Sequence, residues 1–239
     1  MTMTTPAPAP APHLAERAAG HAQAGAPDAP MAVQSNQAVN IHVHHGPAAG
    51  MARHRPIGQA CCTVWLTGLS GAGKSTIAYA LEQRLLDAGR AVCVLDGDQL
   101  RHHLNRDLGF SAADRSENIR RTAEVARMMN EAGLIVIAAL ISPLREDRDM
   151  AGRIIGPARF IETHVSTTLA VCEARDPKGL YAKARSGQLA QFTGISAPYQ
   201  APASPALTLD TAQLAPGAAT DLLYAHLAQR FTLLGAQPC

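Results

Sequence analysis

The chain has 239 residues, a formal net charge of +2 and 47% hydrophobic side chains, a balance that suits one globular domain carrying an extra segment. A charge so near neutral offers no basic stripe for a nucleic acid, so none is expected as a partner. No apolar run approaches the roughly 18 residues that a membrane-crossing helix needs, so no membrane partner is expected either.

Residues 1–56 stand apart from the rest. Ala and Pro alternate from Pro6 to Pro12, and Ala, Gly, Gln and His dominate onward to Pro56. So few large apolar side chains cannot offset the entropy of ordering the chain. The expectation is a disordered or loosely attached tail over 1–56 and one domain over 57–239. No basic segment leads into an apolar one, so a secretory signal is not expected, and arginines are sparse for a transit peptide. His42, His44 and His45 cluster within Asn40–Gly46. Without cysteine or carboxylate partners they read as a polar segment and not as a metal site. The five cysteines, at 61, 62, 93, 172 and 239, show no metal spacing and are odd in number. They read as reduced thiols of a cytoplasmic protein.

From Cys61 the chain alternates apolar strands with helical patterns. Cys61–Thr67 predicts a short buried strand. Gly68-Leu69-Ser70-Gly71-Ala72-Gly73-Lys74-Ser75-Thr76 follows and fits the phosphate-binding pattern G-x-x-x-x-G-K-[ST]. Ile77–Ala88 predicts a helix closed by Gly89. Further strands are expected at 91–95, 134–141, 160–165 and 207–209. Helices are expected from a Ser111 cap through about Glu131, then at 146–155, 168–174 and 221–233, with a short helix or turn at 180–186. This order predicts an α/β fold of the P-loop kinase type, a parallel sheet with helices on both faces.

In such a sheet ligands bind beyond the carboxyl ends of the strands, and three chemically loaded stretches fall there. The first is Gly68–Ser75. Glycines let its backbone wrap phosphates, Lys74 can reach the β/γ-phosphates, and the Ser75 hydroxyl can ligate Mg²⁺. The second is Asp96-Gly97-Asp98, two carboxylates beside the phosphate loop. Phosphoryl transfer needs a divalent cation and a group that orients the attacking hydroxyl, so Asp96 or Asp98 suits those tasks. The third is Ser142-Pro143-Leu144-Arg145. Arg115 and Asn118 share a helix face three residues apart, and forked arginines suit phosphate or sulfate oxygens. A nucleotide carrying β- and γ-phosphates, together with Mg²⁺, is therefore expected at this site.

The words GLSGAGKST, LDGDQLRHHLNRDLGFSAADRSENIRR, ISPLREDRD, CEARDPKGLYAKAR and QFTGISAPY run in order over roughly residues 60–210. In them the chain resembles the adenylylsulfate kinase family. The resemblance makes the expected nucleotide ATP and implies transfer of its γ-phosphate to the 3′-hydroxyl of adenosine 5′-phosphosulfate (APS), giving PAPS and ADP in sulfate assimilation. It implies that Asp98 orients or deprotonates that hydroxyl, with Asp96 on the water shell of Mg²⁺ and next in line as base. Arg101, Arg115 and Asn118 would contact phosphosulfate and ribose, with Ile141 alongside. Phe110 and Phe192 would sandwich the APS adenine. Lys178 would act from a mobile lid over Asp176–Tyr181. Ser142 matches a serine described in some relatives as a phosphoserine intermediate, although direct in-line transfer needs none. The resemblance also implies a homodimer and a functional link to ATP sulfurylase. The chain departs from the family pattern at Val43, where a tryptophan is usual before His44, and at Gln200, where an acid is usual.

Three other classes fit less well. A nucleoside or sugar-acid kinase would not need the PKGLY and FTGI words. A switch GTPase would need an Asn-Lys-x-Asp motif, which the sequence lacks. A non-catalytic nucleotide-binding module would not need Lys74, Ser75, Asp96 and Asp98 together.

Overall fold

The computed structural model describes residues 59–233. The expectations for the 1–56 tail, for His42, His44 and His45, and for Cys239 lie outside the described residues.

Five parallel strands form one sheet: β1 (Thr63–Thr67), β2 (Val92–Asp96), β3 (Ile135–Ala139), β4 (Phe160–Val165) and β5 (Leu207–Leu209), in the order β2-β3-β1-β4-β5. Thr63 pairs with Val136 on one side and Phe160 on the other, so β1 lies at the centre. Every residue of β1 and β3 is buried, which explains their unbroken apolar runs: both sheet faces are covered. In β4, Ile161, Thr163 and Val165 are buried and alternate with half-buried Phe160, Glu162 and His164.

Two apolar layers follow from the strand alternation. Val64 and Leu66 of β1 join Ile77, Leu81 and Leu85 of α1 (Lys74–Asp87) and Leu223 and Leu227 of α7 (Pro216–Leu233). Trp65 points the other way, among Ile119, Ala123 and Ala126 of α3 (Ala112–Glu131) and Ala151 and Ile155 of α4 (Arg145–Ile155). The small alanines on α3 leave room for the fully buried indole ring.

Most expected elements appear within a residue or two of their expected ends. Ser111 caps α3, accepting from the Asp114 amide at 3.1 Å. Gly89 closes α1, donating to Leu86 O at 2.9 Å. Three differences have physical causes. The helix α1 begins at Lys74, inside the phosphate loop. The short α2 (Gly97–His102) was not among the expected elements; it forms because Asp96 caps it through the amides of Asp98 and Gln99. The helix α7 begins at Pro216, which suits a first helical turn that needs no N–H. The remaining helices are α5 (Leu169–Arg175) and α6 (Leu180–Arg185).

Away from the site, the start of the sheet is stitched by amides. Gln59 Nε2 donates to Ala91 O at 2.7 Å and Gly133 O at 2.8 Å. Asn130 Nδ2 donates to Cys62 O and Leu134 O, both at 3.0 Å.

Candidate active site

The carboxyl end of β1 runs straight into the phosphate loop. Gly68 has φ +154°, and a Cβ there would stand 2.5 Å from Val165 O, so no side chain fits. At the other end Gly73 has φ +98° and caps α1 with no side-chain hydrogen bond. The first-turn amides of α1 are thus left for an anion, and no acidic residue stands in that turn. Lys74 is buried and its Nζ donates to Leu69 O at 2.7 Å. Burial pulls its pKa down from 10.5 to about 8; neighbouring Lys178 adds to the fall, while Cys172, Asp98 and Asp96 oppose it.

Ser75 Oγ donates to Asp96 Oδ2 at 2.7 Å. The other oxygen, Asp96 Oδ1, accepts from the Asp98 amide at 2.9 Å. Asp96 therefore joins the phosphate loop to α2. Two hard oxygens this close fit Mg²⁺, which takes one or two protein oxygens and completes its shell with water and phosphate. Asp98 lies further out, exposed, and forms an ion pair with Lys178.

Arg101 projects from the end of α2. Its Nη1 donates to Gly109 O at 2.6 Å and its guanidinium lies 4.4 Å over the Phe110 ring. Phe110 is 63% exposed, an unusual cost for an aromatic ring unless something stacks on it. Arg115 donates from Nε to Phe110 O at 2.9 Å, from Nη1 to Thr193 Oγ1 at 2.9 Å and from Nη2 to Gln191 O at 2.6 Å. It thereby ties the Phe110 loop to the Phe192 loop, and only its remaining N–H groups are open to a ligand. Phe192 is in a loop, as read, but the ring is buried, edge-on to Tyr181 with centroids 5.0 Å apart. A polar sequence context hid this burial, because the ring reaches the core while the loop backbone closes on itself. The Ile195, Ser196 and Ala197 amides all donate to Phe192 O.

The third loop lies against the first. Ile141 O accepts from the Gly68 amide at 3.4 Å and from Thr67 Oγ1 at 2.8 Å. Ser142 is buried with φ +38°. Its Oγ accepts from Trp65 Nε1 at 3.1 Å and donates to Leu140 O at 3.4 Å. Asn118 is buried on α3 and accepts from Asn105 Nδ2 at 2.9 Å.

Arg148 and Tyr199 were not foreseen as parts of this region, and Gln200 was read only as a departure from the family pattern. Arg148 is buried and donates to Glu162 Oε1 at 2.6 Å, Ser142 O at 2.7 Å and Gln200 O at 2.7 Å. In the sequence it is one charge within Arg-Glu-Asp-Arg-Asp, with nothing to mark it as the inward one. Tyr199 shares a 3.0 Å hydrogen bond with Thr67 Oγ1. Gln200, where an acid is usual, accepts the Arg145 amide at 2.9 Å, helping to cap α4. A cavity of about 590 Å³ lies between Leu69 of the phosphate loop and the run from Gly194 to Tyr199, large enough for part of a nucleotide.

The sequence profile of the Adenylylsulphate kinase family matches residues 60–210. An adenylyl-sulfate kinase of Shewanella oneidensis is 56% identical over 174 residues, 73% of this chain and 85% of that protein. An APS kinase of Mycobacterium tuberculosis, solved in complex with AMPPNP and APS, is 46% identical with a TM-score of 0.69, over 71% of this chain and 99% of that one. A hexameric APS kinase from Thiobacillus denitrificans is 35% identical with a TM-score of 0.55, over 74% of this chain and 31% of that one.

Proposed function

The chain belongs to the adenylylsulfate kinase family, and from that premise we propose how its own residues carry the reaction. The enzyme transfers the γ-phosphate of ATP to the 3′-hydroxyl of adenosine 5′-phosphosulfate and releases PAPS and ADP. The observation that supports this assignment of roles is the run of contacts along the carboxyl edge of the sheet. Ser75 meets Asp96, Asp96 caps the turn bearing Asp98, Asp98 meets Lys178, and Arg115 joins the two aromatic loops.

The amides of Gly68–Thr76 and the N-terminus of α1 hold the ATP phosphates, and Lys74 places a cation on the transferring group. Ser75, with Asp96 on the water shell, would hold Mg²⁺, which would supply neutralising charge beside the ATP phosphates. Asp98 accepts the proton of the 3′-hydroxyl as that oxygen attacks phosphorus. To do so it exchanges Lys178 for the substrate hydroxyl, which leaves Lys178 free to meet phosphate oxygens. Arg101, Arg115 and Asn118 hold the phosphosulfate and ribose, beside the Ile141 loop. Phe110 offers its exposed face to the adenine, with Phe192 as the buried wall behind. The burial of Ser142 Oγ against Trp65 favours direct transfer over a phosphoserine route, with Ser142 shaping the loop.

We assign the activity to residues 57–239 and place the protein in the cytoplasm, where the buried Cys62 and Cys172 thiols suit a reducing compartment. A homodimer is part of the proposal. A functional link to ATP sulfurylase follows from the need for an adenylyl transfer that makes APS from sulfate. The test is release of ADP from ATP and Mg²⁺ with and without APS, with the nucleotide product identified by mass. APS-dependent ADP release with PAPS formation is expected. ADP release indifferent to APS overturns the reading.

A further inference from the structure

Asn105 lies in the turn between α2 and α3, and its backbone is held from both sides. Its N–H donates to Leu100 O at 2.8 Å, and its carbonyl accepts from the Leu108 amide at 3.1 Å. The side chain is fully buried. Its Nδ2 donates to Asn118 Oδ1 at 2.9 Å, while its Oδ1 has no hydrogen-bond partner. A buried amide oxygen without a donor carries a desolvation penalty that an apolar side chain would avoid. A turn that needed only filling would do better without an asparagine. What the asparagine supplies is the N–H to Asn118.

An amide side chain has two unlike ends, an oxygen that accepts and a nitrogen that donates. With Asn118 Oδ1 claimed by Asn105, the donating end of Asn118 turns away from that contact. We propose that Asn105 is a positioning residue that fixes the Asn118 amide with its N–H groups toward the anionic oxygens and ribose of APS. The proposal rests on the assignment of Asn118 to the substrate. Reversal of the Asn118 amide would set a carbonyl oxygen against an anion and replace attraction with repulsion. A guanidinium has no such wrong way round, so the neighbouring arginines need no equivalent partner. The same turn also anchors Arg101, whose Nη1 reaches Leu108 O at 3.3 Å.

Asn105→Asp tests this, because a carboxylate keeps the shape and exchanges the donor for an acceptor. It would accept from Asn118 Nδ2 and turn that amide over. The KM for APS is expected to rise about tenfold or more, with the ATP dissociation constant measured without APS unchanged. In an Asn118→Ala background the same substitution is expected to add nothing to KM, since it acts only through Asn118. An unchanged KM in Asn105→Asp, when Asn118→Ala raises it, overturns the proposal; so does full additivity of the two changes. No effect of Asn118→Ala on KM for APS is a different failure: it removes Asn118 from the substrate, and the proposal with it. If Asn105→Asp does not fold, Asn105→Ala is carried through the same cycle. Loss of the donor is then expected to raise KM by a smaller factor, and only where Asn118 is present.

Discussion

Lys178 and Asp98, 80 residues apart in sequence, form an ion pair across the mouth of the site. Both side chains are more than half exposed, so the pair adds little to stability and breaks readily. Its position is what gives it consequence. It couples the segment carrying Lys178, between α5 and α6, to Asp98, the carboxylate proposed to accept the hydroxyl proton.

Separating that pair is therefore expected to affect catalysis and not folding. Asp98→Asn should lower kcat by about 10²-fold or more with the ATP dissociation constant intact. Lys178→Gln should act mainly on KM for APS. Both variants should melt within a degree or two of the parent. A wild-type kcat in Asp98→Asn would transfer the base role to Asp96.

Lys74 carries a pH signature. Its folded pKa, about 8, lies below the ordinary 10.5. Between these values the unfolded chain still holds the proton that the folded chain has released. Stability is therefore expected to rise across that window, while catalysis, which needs the cation, falls. Bound phosphates favour the charged form, so the fall should appear in kcat/KM for ATP before it appears in kcat. A profile of kcat/KM that stays flat through pH 8 and beyond would refute the assignment. Lys74→Met should cost on the order of 10²–10³-fold in kcat without lowering the melting temperature, since it removes a buried charge.

The two phenylalanines should respond differently. Phe110→Ala is expected to leave the melting temperature unchanged and to raise KM for APS about tenfold, the loss of one stacking face. Phe192→Ala removes a buried ring from Tyr181 and should destabilise the fold by about 3–5 kcal/mol. Equal effects on stability would show that the exposure difference between them has no energetic weight.

Arg148 holds three acceptors at once, on β4, on the Ser142 loop and on Gln200. Arg148→Lys offers one compact ammonium in place of the planar fork whose three nitrogens reach the three separate acceptors. It is expected to destabilise by about 3–5 kcal/mol, as an acceptor set left unpaired does, and to raise KM for APS through the loosened Ile141–Ser142 loop. Chemical denaturation with a midpoint equal to the parent's would contradict this.

Deletion of residues 1–35 tests the domain boundary. That composition buries little apolar surface, so kcat and melting temperature are expected to stay close to those of the full chain. A fall of several degrees would place part of that segment in the folded domain.

Local chemistry was enough to read much of this protein from its sequence. The glycine-lysine-serine loop, the buried runs of β1 and β3 and the Ser111 cap each depend on neighbours a few residues away, so their spacing carries them. The carboxylates of Asp96 and Asp98 were visible for the same reason. Spacing alone did not divide their roles, which came from the family resemblance; that Asp96 contacts Ser75 while Asp98 contacts Lys178 follows from where β2 ends beside α1 and where the α5–α6 segment crosses. Tertiary packing alone decided that Phe192 is buried and Phe110 exposed, since both lie in loops of similar composition. It also decided that Arg148, among neighbouring charges, is the inward one, and that Asn105 meets Asn118. Contacts between distant segments depend on sheet order and helix placement, and no local pattern of side chains encodes them.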